Sequence, residues 1–182
     1  MQLVDNEILG PFPGLSFQMA HYLLTFIDDY SRHTWVYFLK NKSETFDTFL
    51  VFKSLVEKQS GKSIKCLRTD NGGEYNNNRF KDYCATEGIQ LQHTVPYCPQ
   101  QNGVAERKNH TLKEMANCMI HARGLGPKFL AEAINCANYV QNRTPHKAME
   151  WKETFCWSSK GLWVQCLGVH SKRKTQGNGH AK

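Results

Sequence analysis

No apolar run in this chain is longer than a strand. The longest stretches, such as Tyr22–Ile27 and Trp35–Leu39, are six and five residues, and both are rich in β-branched and aromatic side chains. Runs of that size bury as strands, whereas a membrane-spanning helix needs about 18 or more apolar residues. The helical signals lie elsewhere, in stretches whose apolar residues recur every three or four positions. A chain that alternates these two patterns folds as an α/β domain, its sheet covered by helices.

The order is legible along the sequence. Residues 3–9 read as a short strand broken by Gly10-Pro11-Phe12-Pro13-Gly14. Tyr22–Asp28 and Thr34–Lys40 flank a turn at Asp28-Asp29-Tyr30-Ser31-Arg32, which predicts a hairpin. Asp28 and Asp29 are read as turn formers. Ser43 is expected to cap a helix over about 44–59, with Phe46, Phe49, Leu50 and Val56 on its stripe and Gly61 at its end. Ile64–Thr69 reads as a buried strand ending at Asp70-Asn71-Gly72-Gly73, Arg79–Glu87 as a short helix, and Ile89–Val95 as a strand.

The longest helical pattern covers about 103–122. Val104, Ala105, Leu112, Met115, Ala116, Met119 and Ile120 fall on one arc, and Glu106, His110, Lys113 and Asn117 on the opposite side. Asn109 lies at the margin, and Lys108, inside the apolar arc, must snorkel. Pro127 opens a last helix to about Gln141. Beyond about 147 neither period holds. The chain opens already inside a strand, as a fragment of something longer would.

The 182 residues hold 23 Lys and Arg against 16 Asp and Glu, a net charge of +7 that favours polyanionic partners. Seven cysteines, scattered and without a C-x-x-C pair, make neither a disulfide framework nor a zinc module, and point to reduced thiols inside a cell. Gly72-Gly73 lacks the following G-K of a phosphate-binding loop.

Two carboxylates sit where a scaffold could aim them at one metal. Asp70 ends a predicted strand before a glycine turn, and Glu106 lies in the first turn of the long helix on its polar face. Such acids can hold hard divalent ions that activate water or a 3′-hydroxyl and stabilise charge at phosphorus. Pattern alone also allows plainer roles, as a turn former for Asp70 and a helix-dipole partner for Glu106.

Leu67-Arg68-Thr69-Asp70-Asn71-Gly72-Gly73-Glu74-Tyr75 and Thr94-Val95-Pro96-Tyr97-Cys98-Pro99-Gln100-Gln101-Asn102-Gly103-Val104-Ala105-Glu106-Arg107-Lys108-Asn109 closely resemble the integrase catalytic core of Copia-type LTR retrotransposons. Phe26–Arg32, Glu57–Gly61, Phe129–Ala133 and Asn142-Arg143-Thr144-Pro145 carry the same resemblance, which runs from about 3 to 148. It implies an α/β, ribonuclease H-like fold with a mixed central sheet flanked by helices. It also implies a polynucleotidyl transferase site of three acids that uses Mg²⁺ or Mn²⁺ to cleave and join DNA. Thirty-five residues, 71 to 105, separate Asp70 from Glu106, as that family requires.

Aligned on Gly10-Pro11, Glu7 takes the place of the family's first Asp, with Asp5 as the reserve ligand on the same strand face. Glu7, Asp70 and Glu106 are thus the expected catalytic and metal-binding residues. The extra methylene of Glu7 implies weakened metal binding, and an inactive DNA-binding relic is the alternative reading. Tyr97, Asn102, Asn109, His110 and Lys113 take positions by which related integrases contact DNA, with Lys65, Arg68, Arg107 and Lys108 adding to the basic field.

The resemblance further implies element ends and target DNA as partners, a homodimer or higher assembly, no membrane, and an intracellular, nuclear place of action. Residues 1–148 are expected to be the core, N-terminally truncated, without the zinc-binding and C-terminal domains of a full integrase. Residues 149–182 are expected to be a degenerate extension. In it Glu153–Ser158 and Val164–His170 look like eroded remnants of family motifs.

Overall fold

The computed structural model describes residues 3–12, 19–70, 72–94, 103–144, 154–157 and 163–166. The chain divides into two units, Met1–His146 and Lys147–Lys182. In the first, the elements are β1 (Leu3–Leu9), β2 (Tyr22–Asp28), β3 (Thr34–Leu39), α1 (Thr45–Ser60), β4 (Cys66–Thr69), α2 (Asn78–Thr86), β5 (Gln90–His93), α3 (Gly103–Ala122) and α4 (Leu130–Gln141). The second contains an antiparallel pair, β6 (Thr154–Trp157) with β7 (Trp163–Cys166), where the sequence shows no clear period.

The five strands of the first unit form one mixed sheet in the order β3-β2-β1-β4-β5. β1, β2 and β3 run antiparallel, while β1–β4 and β4–β5 are parallel, as crossovers through helices require. β1 stops at Gly10, whose φ of +132° suits glycine, and where a Cβ would lie 2.6 Å from the His21 carbonyl oxygen.

Strand alternation sorts the side chains onto two faces. Val4, Leu24, Phe26 and Leu67 meet Phe46, Phe49, Phe52 and Val56 of α1 and Phe80 of α2 on one side. Phe26 stacks on Phe52 with ring centroids 4.1 Å apart. On the other side Leu23 packs with Ala116 of α3 and Ala131 and Ile134 of α4. The small residues on these two helices let them lie close to the sheet, and α3 crosses β1.

Two local expectations need correcting. Ser43 does not cap α1. A 3-10 turn, Lys42–Glu44, precedes the helix, and the Glu44 carboxylate accepts from the Lys40 and Asn41 backbone N–H groups at 3.2 and 3.3 Å. The last helical pattern likewise opens as a 3-10 turn, Pro127–Phe129, before α4.

Candidate active site

The face of β1 that carries Asp5, Glu7 and Leu9 looks toward α3, opposite to Val4 and Ile8. The β1–β4 ladder pairs Leu3 with Cys66, Val4 with Leu67 and Asp5 with Arg68. Continued two residues, that register sets Glu7 abreast of Asp70, just past the end of β4. Glu106 arrives from the first turn of α3. Two neighbouring parallel strands and one helix therefore deliver the three acids to the same edge of the sheet.

Glu7 is half-buried, and burial is the main reason its carboxyl is raised above the ordinary range. The charges of Glu106 and Asp70 raise it further, while a hydrogen bond from Asn109 opposes the rise. The acids thus share one electrostatic neighbourhood. Asn109 Nδ2 donates to Glu7 Oε2 at 2.7 Å. Asp70 Oδ1 accepts from the Gly72 backbone N–H at 3.1 Å. Gly72 leaves room for the Glu74 carboxylate, which a Cβ there would meet at 2.7 Å, and Glu74 reaches Lys42 at 3.6 Å. The turn after Asp70 is thereby tied to the 3-10 turn before α1.

The donor set is all carboxylate oxygen, which suits Mg²⁺ or Mn²⁺. As the side chains stand, no three His, Cys, Asp or Glu groups among the described residues are gathered closely enough to hold an ion. Glu106 is exposed and free to turn, whereas Glu7 is held by Asn109.

Asp5, the reserve ligand, is committed elsewhere. It is 1% exposed, and its Oδ1 pairs with Arg68 Nη1 at 3.1 Å. Burial raises its carboxyl despite the opposing guanidinium. Asp28 and Asp29 build the hairpin turn. Asp28 Oδ2 accepts from the Ser31 backbone N–H at 2.9 Å and from its hydroxyl at 2.6 Å, and Asp29 pairs with Arg32 at 2.7 Å.

Of the expected DNA contacts, Tyr97 and Asn102 lie outside the described residues. Asn109 is 2% exposed, so its side chain faces Glu7 and not solvent. His110 and Lys113 are exposed on the outer face of α3. His110 Nδ1 lies 3.3 Å from Glu114, and the Lys113 ammonium 5.8 Å from the centre of the Phe12 ring. The link from Asn109 to Glu7 is the feature sequence reasoning missed. Its signal was the spacing of Glu106 and Asn109, three apart and so on one side of a helix.

Residues 12–99 match the integrase core domain family. Over 174 residues, 95% of the chain, it is 44% identical to the retrovirus-related Pol polyprotein from transposon TNT 1-94 of Nicotiana tabacum. Over 143 residues, 79% of the chain, it is 36% identical to that from transposon RE2 of Arabidopsis thaliana. The chain spans 13% and 10% of the lengths of these two relatives. Among solved structures, it is similar to the simian T-cell lymphotropic virus intasome, with a TM-score of 0.62 and 21% identity over 79% of this chain and 49% of that one. It is also similar to the HTLV-2 integrase catalytic core domain in complex with magnesium, in a dimeric form, with a TM-score of 0.58 and 21% identity over 79% of this chain and 88% of that one. These two likenesses give the ribonuclease H-like fold, as the mixed sheet flanked by helices implied.

Proposed function

Since this chain belongs to the integrase cores of Ty1/Copia-type retrotransposon Pol polyproteins, we propose that it is the catalytic core for joining element DNA to target DNA. Residues 1–148 are the core, and 149–182 a degenerate extension. Glu7, Asp70 and Glu106 would hold Mg²⁺ or Mn²⁺. The observation that carries this reading is the electrostatic meeting of those three acids, drawn from β1, the end of β4 and α3.

When bound, a pair of divalent ions supplies Lewis acidity at phosphorus and an activated water or 3′-hydroxyl. The chain's own residues do the rest. β1 and β4 fix Glu7 and Asp70 side by side, and Glu106 swings in from an exposed helix turn. Tyr97, Asn102, His110 and Lys113 hold the DNA ends, the cations through sequence-independent phosphate contacts. Element and target DNA are the partners, a second copy of the chain completes the assembly, and the nucleus is the place of action.

A specific observation favours a second reading, an inactive DNA-binding module. Glu7 stands where the family has Asp, and its Oε2 is already taken by Asn109. A strand-transfer assay in Mn²⁺ separates the two. The first reading expects joining that Asp70→Asn and Glu106→Gln each reduce by roughly a hundredfold or more, in line with losing an essential metal ligand. The second expects no joining from the natural chain and its recovery in Glu7→Asp. Joining that is indifferent to Asp70→Asn sinks both.

A further inference from the structure

α4 ends against the first residue of β3. Asn142 Oδ1 accepts from the Thr34 backbone N–H at 3.0 Å, and its Nδ2 donates to the Thr34 carbonyl at 2.7 Å. Asn138 donates to the same carbonyl at 3.1 Å. This grip fixes the residues on either side of it, His33 before the strand and Arg143 after the helix.

The Arg143 guanidinium lies 3.3 Å over the centre of the Tyr139 ring, and its Nη1 donates to the Tyr139 carbonyl at 3.1 Å. Its Nε is buried and has no partner. Lys108, on α3 just after Glu106, is half-buried. Among the described residues neither cation is paired with a carboxylate. Both charges reach the His33 imidazole, which burial, then Lys108, with Arg143 adding, pushes down to about 4. The acid bearing on His33 is Asp28, whose Oδ2 is engaged by Ser31. At neutral pH the imidazole therefore adds no third positive charge.

Two cations held half out of water without a counter-charge cost free energy that an anion would recover. A guanidinium fixed by stacking presents its remaining N–H groups as a preformed fork, and an ammonium beside it adds a point charge. We propose that Lys108 and Arg143, flanking neutral His33, form a phosphodiester-binding subsite that grips one backbone phosphate of duplex DNA beside the acids. The identity of the anion as DNA rests on the integrase reading. The site itself rests on the geometry.

The test is duplex binding by the full chain in EDTA, followed by anisotropy of a labelled 20-base-pair DNA of arbitrary sequence across a salt series. Lys108→Gln and Arg143→Gln should each weaken binding several-fold. Each should also lower the slope of log K against log salt by about one where a phosphate contact is lost. Lys108→Arg should restore binding, and Lys62→Gln, exposed on the loop after α1, should leave it unchanged. Melting curves of each variant confirm folding. Unchanged affinity and slope in both neutral variants, or no binding by the natural chain even at low salt, overturns the subsite. DNA binding that needs Lys108 and Arg143, without any metal-dependent joining, overturns the catalytic reading and leaves the subsite standing.

Discussion

At the scale of single residues, the chemistry turns on Glu7 and its partner. A carboxylate half out of water is stabilised by any donor it keeps, and the 2.7 Å bond from Asn109 is of the charge-assisted kind. Asn109 gives up solvent to make it and leaves its own Oδ1 buried without a partner. A double-mutant cycle of Glu7→Ala and Asn109→Ala, read by urea unfolding at pH 7, should show a coupling of about 1–2 kcal/mol. Additive losses would mean that the contact contributes nothing. Sequence placed Asn109 on the margin of the α3 arc, which was right about its angle. It could not show that the neighbouring surface at that angle is β1, since that depends on how the helix is laid across the sheet.

Elements are where most of the sequence signal lay. The hairpin, the long helix and the strand before Asp70 follow from period and turn residues alone, because each pattern repeats over several turns or pairs. The misses fall at element ends. Ser43 lost the cap of α1 to a Glu44 side chain reaching back to two backbone donors, a competition of local hydrogen bonds that no periodicity encodes. The other unread feature is the clamp of Asn142 on Thr34, a contact between residues 108 positions apart. Thr34 opens an edge strand, so Asn142 satisfies backbone groups that no neighbouring strand can. Replacing Asn142 with Ala leaves both unpaired in a nearly buried place and should cost about 2–3 kcal/mol, measured as a shift in the urea midpoint with an unchanged m-value. A loss below about 0.5 kcal/mol would show that water substitutes freely.

For the molecule as a whole, stability carries a pH signature from His33. Its folded pKa lies at about 4 against an ordinary 6.5. Between those values the unfolded chain binds more protons than the folded one, so stability rises with pH across that window and falls on acidification toward 4. The effect is of the order of 3 kcal/mol at most, at about 1.4 kcal/mol per pH unit. Melting temperatures taken from pH 7 to 4 should show this decline, and His33→Gln should flatten it. Asp5 and Glu7 act the opposite way. Their raised folded values make the folded state the better proton binder above the ordinary carboxylate range, so their cost to stability sets in as pH rises and disappears below it. An unaltered profile in His33→Gln would assign the acid sensitivity to other groups.

The sheet that gathers the acids also limits how such a chain can change length. Connectors such as 29–33 or 61–65 can gain or lose a residue with little more than a small closure cost. A one-residue slip inside Leu3–Glu7 or Cys66–Thr69 reverses the parity of that strand. It would carry one carboxylate among the phenylalanines and leave its neighbour facing α3 alone. Indels that accumulate in this lineage should therefore cluster between strands and spare those two segments for as long as the site is used.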